Sequence, residues 1–230
     1  MTTAERLAPA PPPAPPPVLA IAVERVDPVA HAAVPTLRFT ARVRAIGSAP
    51  VRSVSLTAQI RIATDRRRYR AEERDRLVEL LGTDPHRAAP ALLWAHATVQ
   101  VPPFDGETVV DIPLACTYDF DVAAAKYLHA VGDGEVPLQF LFSGTVFYTD
   151  AGRLRAARLP WDTEATLAMP ASVWREAMDQ HFPGAAWLRL DRDTFDALYA
   201  YRRAHTLPTW TDTVRALLAA AGQAPEARPR

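Results

Sequence analysis

Apolar and polar residues alternate strictly along two neighbouring segments of the chain, residues 36–43 and 53–62. A period of two places one row of side chains on a core and the other row in water, which is typical of a half-buried β-strand. Gly47 and Pro50 lie between the segments and form a turn signal. The two strands are therefore predicted to pair in antiparallel fashion.

The same alternation predicts five more strands. They cover residues 19–26, 93–101, 108–117, 137–149 and 153–159. Most of these segments are joined by turn residues rather than by long helices, which favours an antiparallel arrangement. We therefore predict a mainly β fold of the α+β class: an antiparallel, Ig-like β-sandwich with inserted helices and a C-terminal helical segment packed on it.

Two insertions with helical patterns interrupt the predicted sandwich. Asp65 is placed to cap a helix that runs through Leu81 and ends at Gly82. Residues 122–128 are rich in alanine and predict a second, shorter helix.

The C-terminal third changes to helical periodicity. A residue whose side chain can accept a hydrogen bond from the first turn precedes each of three predicted helices. These pairs of cap and helix are Ser172 with residues 173–182, Asp191 with residues 192–204, and Thr209 with residues 210–221.

These patterns divide the chain into four stretches. Residues 1–17 contain the run PAPPPAPPP and predict a disordered Pro/Ala-rich arm, because successive prolines remove backbone donors and fix φ. Residues 18–170 form the predicted sandwich, and residues 171–222 form the helical segment within the same cooperative unit. Residues 223–230 are predicted to be a disordered tail.

Charge and cysteine content narrow the function classes. Lys+Arg and Asp+Glu both number 26, so the chain lacks the basic excess that nucleic-acid binding favours, and we expect no nucleic-acid partner. It shows neither a signal-peptide pattern nor an apolar run of about 20 residues, which predicts a cytoplasmic protein without a membrane span.

Cys116 continues an inward-facing apolar row and is predicted to be a buried core residue with a raised pKa.

The sequence carries no recognisable catalytic or metal-binding motif. Its six histidines have none of the spacings of a metal site, and phosphate-loop, dinucleotide and nucleophile-elbow motifs are absent. We therefore predict no cofactor, no metal site and no catalytic residue. A hydrolase-like enzyme is the alternative if carboxylates and histidines converge only in the fold. Its candidates are Asp119, Asp121, Asp162, Glu164, His181 and His205.

Tryptophan is the residue type most suggestive of binding. Trp is common among binding hot spots, although the same large rings also seal helices onto sheets. The alternation in its strand places Trp94 on the outward row, and the other four lie in the C-terminal third. The candidates for contact with a partner are Trp94, Trp161, Trp174, Trp187 and Trp210.

Motifs in the C-terminal third carry a family resemblance. They are LPWDTE at 159–164, Trp174 with Met178-Asp179 and Phe182-Pro183, WLRL at 187–190, FDAL at 195–198 and LPTW at 207–210. With the strands at 59–62 and 142–148, they resemble an uncharacterised actinobacterial domain-of-unknown-function family encoded near high-affinity [NiFe]-hydrogenase genes. The resemblance implies an accessory role in hydrogenase assembly, maturation or scaffolding, and it assigns no catalytic residue.

Three functions are compatible with these features. We expect first a non-catalytic interaction or scaffold protein, whose partner would be a hydrogenase subunit, an assembly factor or a second copy of the chain. Such a protein should expose an apolar patch. The alternatives are the enzyme described above and a sandwich that binds a carbohydrate or another small ligand. The last of these requires exposed aromatic rings.

Overall fold

A computed structural model describes residues 15–47, 49–84, 91–117, 119, 122–185 and 187–223. The chain divides into two units, Met1–Trp187 and Leu188–Arg230. Most of the predicted arm and most of the predicted tail lie outside the described residues.

The described part of the first unit contains eight strands in two antiparallel sheets. They are β1 (Val18–Pro28), β2 (Thr36–Ile46), β3 (Val51–Ile62), β4 (Leu92–Val101), β5 (Glu107–Ala115), β6 (Glu135–Asp150), β7 (Arg153–Arg158) and β8 (Glu164–Pro170). One sheet has the order β1–β2–β5 and the other the order β4–β3–β6–β7, with β8 also paired to β6. The predicted antiparallel, Ig-like β-sandwich is confirmed.

The inward rows of the two sheets meet in one apolar core. Phe39 on β2 and Phe140 on β6 are fully buried, and their ring centroids lie 5.2 Å apart in an edge-on contact. Leu56 and Ile60 on β3 are also fully buried. Burial of each such side chain contributes about 1.5–3 kcal/mol, so the alternation seen in the sequence stabilises the sandwich directly.

The long strand β6 pairs with β3 on one side and with β8 and then β7 on the other. Gly144 lies where β8 gives way to β7, and a Cβ atom at this position would fall 2.0 Å from the Ser55 carbonyl oxygen. Only glycine permits this close approach. Strand β8 was not predicted, because Asp162 and Glu164 have the character of turn residues and the strand leads directly into a helix.

Three α-helices lie in the described part of the first unit. They are α1 (Ala71–Leu81), α2 (Ala123–Ala130) and α3 (Ala171–His181). The predicted cap of α1 at Asp65 is wrong, because a short 3-10 helix covers Thr64–Arg66 and Arg70 is the N-cap residue. The predicted cap of α3 at Ser172 is also wrong, since the N-cap is Pro170 and makes no side-chain hydrogen bond. Helix α3 packs on the sandwich, and its buried Trp174 joins the core.

Residues 188–223 of the second unit contain two helices, α4 (Arg192–Ala204) and α5 (Trp210–Ala220). The Asp191 side chain accepts a hydrogen bond from Thr194 N at 2.8 Å, and Thr209 Oγ1 accepts one from Asp212 N at 3.0 Å. Both predicted caps are confirmed. None of the helices in the described ranges combines the length and the apolar character that crossing a bilayer requires.

Candidate functional site

The two candidate histidines of the enzyme hypothesis lie in separate units. His181 Nδ1 is 3.0 Å from Ala177 O and His181 Nε2 is 2.8 Å from Ala32 O, so both ring nitrogens face backbone carbonyl groups. The His205 ring lies 4.2 Å from the Tyr201 ring, between centroids. Within the described ranges, no group of three or more His, Cys, Asp or Glu side chains is arranged to hold a metal ion.

Three of the four candidate carboxylates, Asp119, Asp162 and Glu164, lie in turns or at a strand end. Asp162 and Glu164 are both exposed, and Glu164 Oε2 accepts a hydrogen bond from Gln139 Nε2 at 3.1 Å. The backbone N–H of Asp119 donates to Thr117 Oγ1, and Asp121 lies outside the described residues. Asp162 and Glu164 are two positions apart in the sequence.

A buried polar cluster connects α1 to the loop between α2 and β6. Arg67 Nη2 donates to Glu73 Oε1 at 2.7 Å and to Asp133 O at 3.0 Å, and Arg67 Nη1 donates to Glu135 O. Gly132 N donates to Glu73 Oε1 at 3.0 Å. The Arg67 and Glu73 side chains are only 8% and 6% exposed, which leaves no room for a substrate.

Burial and hydrogen bonding act in opposite directions on the pKa of Glu73 in this cluster. Burial alone would raise the pKa of the Glu73 carboxyl group. The backbone N–H groups of Arg70 and Gly132, together with the Arg67 guanidinium, outweigh burial and hold that pKa below its ordinary value. The pair is enclosed, and both oxygens of its carboxylate accept hydrogen bonds, although Arg67 Nε has no hydrogen-bond partner among the described residues. It is a structural link between elements.

Two tyrosines extend the polar cluster toward the core. The Tyr69 hydroxyl donates to Thr64 O at 2.8 Å, so the Tyr127 hydroxyl donates to the Tyr69 oxygen, 2.9 Å away. Burial raises the pKa of both phenols. Both hydroxyl groups therefore stay protonated, and their hydrogen bond joins the segment before α1 to α2.

Cys116 is a core residue, as predicted. Its side chain is buried, and burial raises the pKa of the thiol to about 12. A thiol with so high a pKa supplies almost no thiolate near neutral pH, so Cys116 is unsuited to nucleophilic chemistry.

Two of the five tryptophans pack into the core of the sandwich. Trp174 on α3 is 3% exposed. The predicted outward position of Trp94 is wrong: its ring packs edge-on against Phe39, with 6.3 Å between centroids. Ile60 of β3 pairs with Ala95 of β4 and Arg61 pairs with Leu93, so Trp94 is the extra residue of a bulge on β4, and its ring turns inward there.

The other three tryptophans are open to solvent to different degrees. Trp161 is 94% exposed in the turn between β7 and β8, and Trp187 is 60% exposed beside the Phe182 ring. Trp210 is 37% exposed at the first position of α5. These three are the tryptophans that a binding partner can reach.

Trp210 belongs to a cluster of aromatic rings in the second unit, here called the aromatic cluster. Its ring lies 5.3 Å from Phe195 and 6.2 Å from Tyr199, between centroids, and the Arg202 guanidinium carbon lies 4.8 Å from the centre of the indole ring. Arg202 is fixed there because it also donates to the carbonyl groups of the loop between α4 and α5. The cluster is therefore both apolar and held in place.

The aromatic cluster continues into a larger exposed surface, here called the apolar face. Its members are Leu188, Phe195, Tyr199, Trp210, Val214 and Leu217, which are between 37% and 77% exposed. Helix α4 has no buried residue, and in α5 only Thr213 is buried. The second unit thus exposes the side chains that would normally form a core.

The sequence shows the helical spacing of several members of this face but not their exposure. Phe195 and Tyr199 have the i, i+4 spacing of one helix face, and so do Trp210 and Val214. The same spacing is typical of a helix that packs on a core, so it does not distinguish a buried face from an exposed one.

A family model, described as a family of unknown function (DUF6084), matches residues 16–226 of the chain. The match covers most of the chain, and the protein therefore belongs to the DUF6084 family. The comparison with functionally curated proteins gave no match.

Solved structures show only distant similarity. The CARDB domain of a Pyrococcus furiosus protein, solved in complex with di-metal ions, is 14% identical, with a TM-score of 0.28, over 67% of this chain and 92% of that domain. A putative ApaA protein from Bordetella pertussis is 16% identical, with a TM-score of 0.24, over 69% and 98% of the two chains. A β-glucosidase from Kluyveromyces marxianus is 12% identical, with a TM-score of 0.21, over 66% of this chain and 15% of the enzyme.

Proposed function

We propose that this member of the DUF6084 family is a non-catalytic interaction protein that binds a protein partner through the apolar face of its helical unit. The observation that carries the proposal is the near absence of buried residues in α4 and α5, although both helices bear large apolar side chains on one face. A surface of this kind on a folded protein marks an interaction site.

Energetics support the same proposal. Helices of 13 and 11 residues are marginal in isolation, and their stability in proteins comes mainly from packing of the apolar face. The capping bonds at Asp191 and Thr209 contribute only about 1 kcal/mol each. Contact with a partner would supply the burial that the two helices lack, at roughly 25 cal/mol per Å² of apolar area.

The composition of the aromatic cluster also resembles that of a binding hot spot. Such hot spots are enriched in Trp, Tyr and Arg. Trp210, Tyr199 and Arg202 lie together in the cluster, and Phe195 completes its surface. The guanidinium over the indole ring orders both side chains before binding, which reduces the entropy that association costs.

The partner we propose is a subunit or assembly factor of a [NiFe]-hydrogenase system in the cytoplasm of an actinobacterium. This choice rests on the family resemblance described above. Under it, the protein would act as an accessory or scaffold during assembly of the hydrogenase.

Co-expression with the hydrogenase subunits tests the proposal. Complex formation is measured by sizing with light scattering, and affinity is then measured with the purified complex components. The double variant Phe195→Ser/Tyr199→Ser should weaken binding about tenfold or more, which is the scale of a hot-spot residue. Val109→Ser is the matched control, because Val109 is 50% exposed on β5 of the other unit. The affinity of this variant for the partner should stay within about twofold of wild type.

The outcomes separate the two parts of the proposal. A double variant that binds a hydrogenase subunit as tightly as wild type does would contradict the apolar face as the binding site. Self-association that is lost in the double variant, without hydrogenase binding, would assign the face to a second copy of the chain and reject the hydrogenase partner.

A further inference from the structure

The two outer faces of the sandwich differ in their chemistry. The face of the three-stranded sheet carries cross-strand ion pairs: Arg42 lies 2.5 Å from Glu24 and 2.8 Å from Glu107, and Arg38 lies 3.9 Å from Asp111. Such paired charges are the ordinary covering of a solvated sheet.

The outer face of the five-stranded sheet carries hydroxyl and amide groups instead. Thr57 on β3 and Thr98 on β4 contact each other, with 3.1 Å between their Oγ1 atoms. Gln59 follows on β3, and Ser143 and Thr145 lie on the same outward side of β6. These side chains offer many neutral donors and acceptors over a nearly flat surface.

An open groove of about 710 Å³ runs over this face. Leu141 provides an apolar part of its surface. Its polar lining consists of Thr57, Gln59, His96, Ser143, Thr145 and Arg158. Among the residues that the structure describes, none that lines the groove is a carboxylate. Glu164 lies opposite Leu141 on β8, where it is hydrogen-bonded to Gln139.

Trp161 stands at the edge of this groove in a turn that holds it in position. Thr163 Oγ1 donates to Pro160 O at 2.9 Å, which closes the turn. Leu159 N donates to Gly144 O at 3.0 Å, and Phe142 N donates to Thr163 O at 2.8 Å, so both ends of the turn are bonded to β6. The sandwich therefore presents a 94% exposed indole ring on an ordered segment.

We propose that this groove is a binding site for a neutral oligosaccharide. A sugar ring has an apolar face of C–H groups, which fits against an indole ring, and a rim of hydroxyl groups, which pairs with neutral hydroxyl and amide side chains. Arg158 adds a planar group of donors for ring and hydroxyl oxygens. Because hydrolysis of a glycosidic bond ordinarily requires two carboxyl groups and the lining has none, the site binds without cleaving.

This inference is independent of the proposed function, because the groove and the apolar face belong to different units. The test is isothermal titration calorimetry of the full-length protein with maltohexaose, cellohexaose, laminarihexaose, xylohexaose and chitohexaose at millimolar concentrations. We expect at least one of these five probes to bind. Tryptophan fluorescence should report the same event.

Three variants and one control locate the binding. Trp161→Ala should weaken binding of that probe about tenfold or more and abolish the fluorescence change, and Gln59→Ala and Thr145→Ala should each weaken it several-fold. Trp187→Ala is the matched control, since Trp187 is also exposed but is not part of the groove, and it should bind as wild type does.

Three results would overturn the inference. The first is that none of the five oligosaccharides binds. The second is that Trp161→Ala binds the oligosaccharide as wild type does. The same conclusion follows if Trp161→Ala loses binding but Gln59→Ala and Thr145→Ala bind normally, because the ligand would then not contact the sheet face. The third is that a decaproline peptide binds at Trp161 and no oligosaccharide does, which would make the turn a peptide site.

Discussion

Arg67 donates through Nη2 to Glu73 Oε1 at 2.7 Å, and both side chains are almost completely buried. The pair links the extended segment before α1 with the first turn of that helix. It also holds the loop before β6 through the carbonyl groups of Asp133 and Glu135. Arg67 and Arg70 both have extended backbone angles, so α1 begins at Ala71 rather than near Asp65, and the guanidinium reaches inward from the segment before the helix.

Arg67→Met should destabilise the protein strongly. Removal of one member of a buried ion pair leaves the other charge without its partner, which costs about 3–5 kcal/mol. Urea unfolding followed by circular dichroism measures the free energy of unfolding. The double variant Arg67→Met/Glu73→Met serves as the control and should lose less than Arg67→Met alone, because no unpaired charge remains. Equal losses of stability in the single and the double variant would show that Arg67 and Glu73 do not stabilise the fold as a pair.

Acidification should weaken the wild-type protein through Glu73. The pKa of this carboxyl group is lower in the folded state than in the unfolded chain, where it is about 4.3. Its contribution to stability is therefore complete above the unfolded pKa and is lost as the pH falls through the folded pKa. The difference in unfolding free energy between wild type and Glu73→Gln, measured from pH 7 down to pH 3, should shrink below about pH 4.3. A constant difference over this range would contradict the role of Glu73.

Truncation of a buried and of an exposed tryptophan should change the free energy of unfolding by very different amounts. Trp174 is 3% exposed in the core, so Trp174→Ala should cost about 3–5 kcal/mol of unfolding free energy. Trp161 is 94% exposed, so Trp161→Ala should change it by no more than about 0.5 kcal/mol. Thermal and urea unfolding of both variants check these values. A large loss in Trp161→Ala would show that the ring has a structural role.

The sandwich was predictable because its main signal is local. Inward residues such as Leu56 and Phe140 recur every second position, and each strand carries that pattern by itself. The caps at Asp191 and Thr209 were predictable for the same reason, since each bond spans only three residues. The inward orientation of the Trp94 ring was not predictable, because it depends on a bulge in the pairing of two strands.

The candidate sites were less predictable than the fold. The spacing of Phe195 and Tyr199 identified a helix face, but whether another surface covers that face is a property of the whole structure. Trp161 appeared in the sequence within an acidic turn, and the groove beside it is formed by side chains from strands that are far apart in sequence, among them Thr57 and Thr145. No local pattern combines such residues.

Hydrogen exchange of the free, monomeric protein tests the central claim most directly. If no other surface covers the apolar face, amides in α4 and α5 should exchange on the order of a hundredfold faster than those of the buried strand β3, since few contacts oppose their local opening. Addition of the partner should then slow exchange in both helices. Amides of α4 and α5 that are as protected as those of β3 in the monomer would contradict the account, because the face would then already be covered within the chain.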